Sequence, residues 1–167
     1  IFQSRILKNG FYIIEVSSYQ LETTSIFKPN FSLLSNISKD HLVRHRTMTE
    51  YVGQKLKIFK KLANGDTAIL SKDYKDTQSF INKMLNENKF NIIKILEKDK
   101  KSKYYYDDYS VYKNKKCIFT PSNTSLSGNH NLENISFVIA LLESQGHLTS
   151  ASLKAINNFK GLSHRQE

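Results

Sequence analysis

The chain reads as an α/β domain built on a mainly parallel sheet flanked by helices, and three observations carry that reading. Short apolar strand patterns alternate with helical patterns, the order a parallel sheet needs because each return crosses over through a helix. The run Gly10-Phe11-Tyr12-Ile13-Ile14-Glu15-Val16 is apolar on both faces, as expected of a central parallel strand. Residues 131–145 are apolar nearly all round, the mark of a buried helix.

The elements follow in order. The first strand stops in the polar turn Ser17-Ser18-Tyr19-Gln20-Leu21-Glu22, and a second short strand is expected over residues 31–37, with Pro29 just before it. A helix is predicted from about residue 48 to 62, opened by a capping box of Thr47 with Glu50. Asn64-Gly65-Asp66 is a turn before a third strand at 67–70. An amphipathic helix is expected over 77–88 and a fourth strand over 91–96. Residues 100–120 differ in character: Tyr104-Tyr105-Tyr106 and Tyr109 to Tyr112 are β-prone, and Lys113-Asn114-Lys115 reads as a turn before Cys117-Ile118-Phe119. This predicts a small antiparallel appendage to the main sheet. Thr149 or Ser150 caps a last helix running through Phe159 and closed by Gly161.

Composition excludes several classes. At 167 residues the chain is one domain or most of one. No apolar run approaches the length of a membrane span, and no signal-peptide pattern opens the chain. A single Cys117 rules out an intramolecular disulfide, fits a reducing cytoplasm and cannot supply a zinc cluster. The net charge of +10 raises nucleic-acid binding as a non-enzymatic alternative. Its basic residues are mostly Lys, with only 4 Arg among 25, and they are scattered with no nucleic-acid motif beside them. The expectation is therefore no nucleic-acid partner and no membrane.

Five places carry candidate chemistry. Glu15 stands at the carboxyl end of the first predicted strand, where ligands collect in open α/β sheets, and is a candidate metal ligand or general base. Asn36-Ile37-Ser38-Lys39-Asp40-His41-Leu42-Val43-Arg44-His45 leaves the second strand and puts an acid and His41 at the same sheet edge if the two strands are parallel. Lys55 projects, at about 100° per residue, into the apolar face formed by Tyr51, Val52, Ile58, Phe59 and Leu62. A lysine there needs pairing, neutralisation or modification, so it is a candidate phosphate contact or carbamate, the alternative being a stem that snorkels from the helix edge. Asn131 and Asn134, three apart at the start of the buried helix, suit recognition of a nucleobase and equally suit capping. Arg165 near the end suits phosphate or ribose, or plain surface.

These stretches match, in order, E-(L/V)-S-S-(F/Y)-Q-L-E at 15–22, N-(I/V)-(S/T)-x-D-H-(L/M)-x-R-(H/Y) at 36–45, Y-x-x-x-K at 51–55, L-x-G-x-H-N-x-x-N at 126–134 and H-R-x-E at 164–167. With that set the chain resembles the Mur ligases of peptidoglycan synthesis, and within them the branch that adds D-glutamate to UDP-N-acetylmuramoyl-L-alanine. The resemblance implies roles. Glu15 would bind a magnesium ion at the ATP phosphates; His41 and a carbamylated Lys55 would hold a second. Asn131 and Asn134 would approach adenine, Arg165 the nucleotide, and Ser17 the UDP-sugar substrate. It implies phosphoryl transfer from ATP to the L-alanyl carboxylate, then attack by the amine of D-glutamate. It also implies a cytoplasmic monomer.

The family's phosphate loop, G-(T/S)-N-G-K-(S/T), does not occur in this sequence. The resemblance therefore implies a partial central ATPase domain over 1–160 and a hinge with the start of a C-terminal domain over 161–167, inactive by itself. A sibling Mur ligase or a folylpolyglutamate synthetase-like amide ligase is the alternative enzyme reading, but it should not carry Ser17-Ser18-Tyr19-Gln20.

Overall fold

The computed structural model describes residues 10–37, 42–71, 90–122, 126 and 128–161. In chain order they form α1 (Ser18–Thr23), β1 (Phe31–Leu34), α2 (Leu42–His45), α3 (Met48–Leu56) continued by a 3-10 turn (Lys57–Phe59), β2 (Thr67–Ser71), β3 (Asn91–Glu97), β4 (Tyr104–Tyr106), β5 (Val111–Lys113), β6 (Lys116–Phe119), α4 (Asn129–Ser144) and α5 (Ser150–Asn157). The helix expected over 77–88 lies outside the described residues.

All six strands form one sheet in sequence order. β1 through β4 pair in parallel, and β4, β5 and β6 pair antiparallel. The mainly parallel sheet with an antiparallel extension is thus the expected one, but the extension is continuous with the main sheet rather than appended. The β3–β4 link needs no crossover helix. Tyr104 sits opposite Ile95, two residues before the end of β3, so residues 98–103 return the chain by only two rungs. The hairpin between β5 and β6 turns on Asn114 and Lys115, both at positive φ (48° and 66°), the signature of a type I′ turn.

β2 is buried along its whole length, as a strand covered on both faces must be. Its alternation sorts the core into two layers. Ile69 faces α4 with Ile95, Tyr104, Leu132, Ile135 and Ile139. Ala68 and Leu70 face α3 with Leu34, Val52, Leu56, Phe59 and Leu62. The result is a sheet between two helical layers. A salt bridge from Lys113 to Glu143 ties the hairpin to α4. At the other edge, buried Asp66 accepts from Ala63 N–H at 2.7 Å and from the Asn30 amide at 3.2 Å, fixing the turn before β2.

β1 stops at Leu34, short of the expected 37, and two further expectations about the elements differ from the structure. Residues 10–16 form no strand; Phe11, Tyr12, Ile13 and Ile14 are exposed, Ile13 by 95%. An apolar pattern reports what a segment can bury, but a ladder also needs a partner, and no described strand pairs with this one. Phe11 instead meets Phe31 and His147 edge-on. The helix expected over 48–62 is α-helical only to Leu56, then tightens into the 3-10 turn.

Lys115→Gly is expected to stabilise the chain by about 1 kcal/mol, because glycine takes the left-handed conformation without a Cβ penalty. Thermal or denaturant unfolding reads it; an unchanged or lowered midpoint would contradict the turn assignment.

Candidate functional site

Ser17 begins the site. Its backbone is extended (φ −78°, ψ 161°), so its hydroxyl turns inward and accepts the Gln20 N–H at 3.2 Å. The Gln20 side-chain oxygen accepts from Ser17 N–H at 2.8 Å and from the Ser17 hydroxyl at 3.0 Å, completing a capping box. The polar turn expected here is therefore a short capped helix, α1, with Ser18 and Leu21 buried beneath it.

α1 packs against α3, and between them opens a cleft of about 380 Å³ lined by Glu15, Val16, Ser17, Ser18, Gln20 and Lys55. Glu15 is exposed at this cleft and Lys55 half-buried. The structure thus brings Glu15, Ser17 and Lys55 together, although Glu15 does not end a strand. Lys55 is not at the centre of the apolar face. The change to 3-10 winding after Leu56 breaks the 100° projection, and the core face becomes Val52, Leu56, Phe59 and Leu62. Lys55 lies at the margin, its ammonium 5.2 Å from the centre of the Tyr51 ring.

A chain of contacts runs behind the cleft. The Ser18 hydroxyl and His45 Nε2 are 2.9 Å apart, and both residues are buried (2% and 5% exposed). The His45 ring stacks on Tyr19 (centroids 5.4 Å, 17°) and lies tilted against Tyr51 (5.4 Å, 30°). Arg44 lies 5.8 Å over the Tyr19 ring, and its guanidinium donates to Glu22 from Nε at 3.3 Å and Nη2 at 3.2 Å. Lys57 Nζ donates to the Glu22 carbonyl at 3.4 Å. A tight turn sets this up: Thr47 N–H bonds the His45 carbonyl at 2.6 Å across Arg46, whose φ is +60°. Thr47 then caps α3 by accepting Glu50 N–H at 3.2 Å, but its own N–H goes to the His45 carbonyl, so only half of the expected capping box forms. Tyr51 and Lys55, four apart on α3, share one side of that helix. Ser18, Tyr19 and His45 entered the sequence reading only as motif positions, with no role at the site, since no spacing rule relates residues on three different elements.

Asn131 and Asn134 lie on α4, half-buried and exposed respectively, and do not line the Glu15 cleft. α4 covers the opposite sheet face from α3. It starts at Gly128 (φ +99°), where an added Cβ would sit 3.2 Å from His130, so a side chain is both strained and crowded there. Asn129 donates its amide to Glu97 at 2.9 Å, fastening the start of α4 to the carboxyl end of β3. His41 and Arg165 lie outside the described residues. Among the described residues no group of three or more His, Cys, Asp or Glu is placed to hold a metal ion.

The Mur ligase middle domain family matches residues 4–142. The chain belongs to the Mur ligase family. The UDP-N-acetylmuramoylalanine--D-glutamate ligase of Geotalea uraniireducens (strain Rf4) is 31% identical over 159 residues, covering 93% of this chain and 34% of that protein. The ligase of the same name from Aliivibrio fischeri (strain ATCC 700601 / ES114) is 33% identical over 156 residues, covering 92% and 33%. Among solved structures, a UDP-N-acetylmuramoyl-L-alanyl-D-glutamate--2,6-diaminopimelate ligase superposes with a TM-score of 0.68 at 22% identity, over 90% of this chain and 32% of that one. MurF from Acinetobacter baumannii gives 0.67 at 15%, over 90% and 33%. The last two likenesses establish the Mur ligase fold. The chain spans about a third of the length of these relatives. No helix among the described residues is long and apolar enough to cross a membrane.

Ser18→Ala leaves buried His45 Nε2 without its partner and is expected to destabilise the chain by about 1–3 kcal/mol. Glu22→Gln, at a solvent-exposed ion pair, is expected to change stability by less than about 1 kcal/mol. Urea unfolding of both variants compares them, and an equal or reversed ranking would contradict the site as described.

Proposed function

We propose that this chain is the central, nucleotide-handling part of an ATP-dependent ligase that joins D-glutamate to UDP-N-acetylmuramoyl-L-alanine. The observation that carries the reading is the meeting of Glu15, Ser17 and Lys55 in one cleft of a Mur ligase middle domain. The D-glutamate acceptor is supported by Ser17-Ser18-Tyr19-Gln20 and by the names of the curated relatives. We assign residues 1–160 to a partial central domain and 161–167 to a hinge leading into a further domain.

In this reading Glu15, His41 and Lys55 serve the two magnesium ions, Lys55 as a carbamate. An exposed carboxylate on an open polar cleft is a donor that magnesium accepts, since it binds through one or two carboxylates, waters and phosphate oxygens. When bound, the ions supply charge neutralisation between the γ-phosphate and the attacking carboxylate. The carboxylate of the L-alanyl group attacks the γ-phosphorus of ATP, the bond to the β-phosphate breaks with ADP leaving, and an acyl phosphate forms. The amine of D-glutamate then forms the amide as phosphate leaves. Ser17, whose hydroxyl is oriented by Gln20, serves the UDP-sugar substrate. Asn131, Asn134 and Arg165 bind the nucleotide. Carbamylation of Lys55 would exchange a cation resting on Tyr51 for an anionic oxygen donor, with the stem already anchored on α3.

The full-length protein containing this chain is expected to release phosphate from ATP with UDP-N-acetylmuramoyl-L-alanine and D-glutamate, but not with L-lysine or meso-diaminopimelate as acceptor. Lys55→Ala and Lys55→Arg are each expected to lower kcat by roughly 100-fold or more, since arginine keeps the charge yet cannot carry the carbamate. Depleting bicarbonate should lower wild-type activity reversibly. Full activity in Lys55→Arg would remove the carbamate from the account, and turnover with another acceptor alone would change the substrate assignment.

A further inference from the structure

We propose that His45 is a positioning residue for this site: it sets the distance between the two walls of the cleft, α1 with Glu15 and Ser17, and α3 with Lys55. The kinetic part of this inference rests on the ligase reading above; the structural part rests on geometry alone. Arg44, Tyr19, His45, Tyr51 and Lys55 form a run of pairwise contacts, successive rings 5.4 Å apart and a cation over each tyrosine. His45 is the central ring. It stacks on Tyr19 of α1 and lies tilted against Tyr51 of α3, each at 5.4 Å, and its Nε2 meets the Ser18 hydroxyl at 2.9 Å.

This combination fixes the imidazole in every direction. Stacking sets its plane, and the hydrogen bond sets its rotation within that plane. A shift of the ring moves Tyr51, on whose face the Lys55 ammonium rests, and Ser18, the neighbour of Ser17. Both walls of the cleft therefore take their place from one side chain. The residue needed here has two flat faces and a polar edge. Phenylalanine keeps the faces alone and glutamine the polar end alone, whereas tyrosine keeps both.

Misalignment of groups that act on a transferring phosphoryl weakens transition-state contacts more than substrate binding, so the effect belongs in kcat. The test compares His45→Ala, His45→Phe, His45→Gln and His45→Tyr in the full-length protein, with rates corrected for the folded fraction from thermal unfolding. His45→Ala is expected to lose roughly 10–100-fold in kcat while KM for ATP stays within about threefold. Phe and Gln should each fall between Ala and wild type, and Tyr should recover to within about threefold of wild type. In the 167-residue chain, amide hydrogen exchange across 18–23 should quicken by about tenfold or more in His45→Ala while 67–71 keeps its protection.

A corrected kcat in His45→Ala equal to wild type, or a tyrosine variant as poor as alanine, would overturn the positioning role. Unchanged exchange across α1 would overturn its structural basis. If the wild-type full-length protein does not turn over D-glutamate, the ligase reading fails by itself, and the exchange measurement alone decides whether His45 holds α1.

Discussion

The buried contact between Ser18 and His45 is the constraint on which the candidate site depends. It joins residues 27 positions apart, one on α1 and one at the end of α2, and neither has water to replace the other. α1 has only six residues, too few to persist on helical propensity. Its capping box closes the first turn locally, but its place in the molecule comes from Ser18, from Tyr19 on the His45 ring, and from Leu21 in the interior. The exposed pair of Glu22 with Arg44 is a secondary fastening in high dielectric. Glu15 and Ser17 are attached to that helix, so their position relative to Lys55 is inherited from the contact.

Beneath this lies the sheet. β2, buried on both faces, separates a layer packed under α3 from a layer packed under α4. The two groups of candidate residues fall on these two sides: Glu15, Ser17 and Lys55 with α3, and Asn131 and Asn134 with α4. A nucleotide that met both would have to pass over the carboxyl ends of the strands, where ligands of open α/β sheets bind. Glu97 and Asn129, at the end of β3 and the start of α4, fasten one side of that edge. Phe11, the first residue of the exposed apolar run at 11–14, meets Phe31 of β1 edge-on.

Much of the fold was legible because it rests on short-range rules. The type I′ hairpin, the Thr47 and Thr149 caps, β2, β3 and α4 follow from turn chemistry and hydrophobic period, and each stands within a residue or two of its expected bounds. Residues 10–16 were misread because pairing depends on a partner that local pattern does not report. Lys55 was placed too deep because a helical wheel assumes 100° per residue, and the helix changes winding one residue later. In the site, Glu15, Ser17 and Lys55 were legible as residue types in telling places. The run of contacts that holds them was not, because Tyr19, His45 and Tyr51 meet only after three elements have packed.

The central claim is that Ser18 and His45 act as one unit. A double-mutant cycle of Ser18→Ala and His45→Phe, read by urea unfolding of the chain, tests it most directly. The account predicts a coupling energy of about 1–3 kcal/mol between the two positions. Effects that add to within about 0.3 kcal/mol would show the two residues to be independent, and would contradict the account.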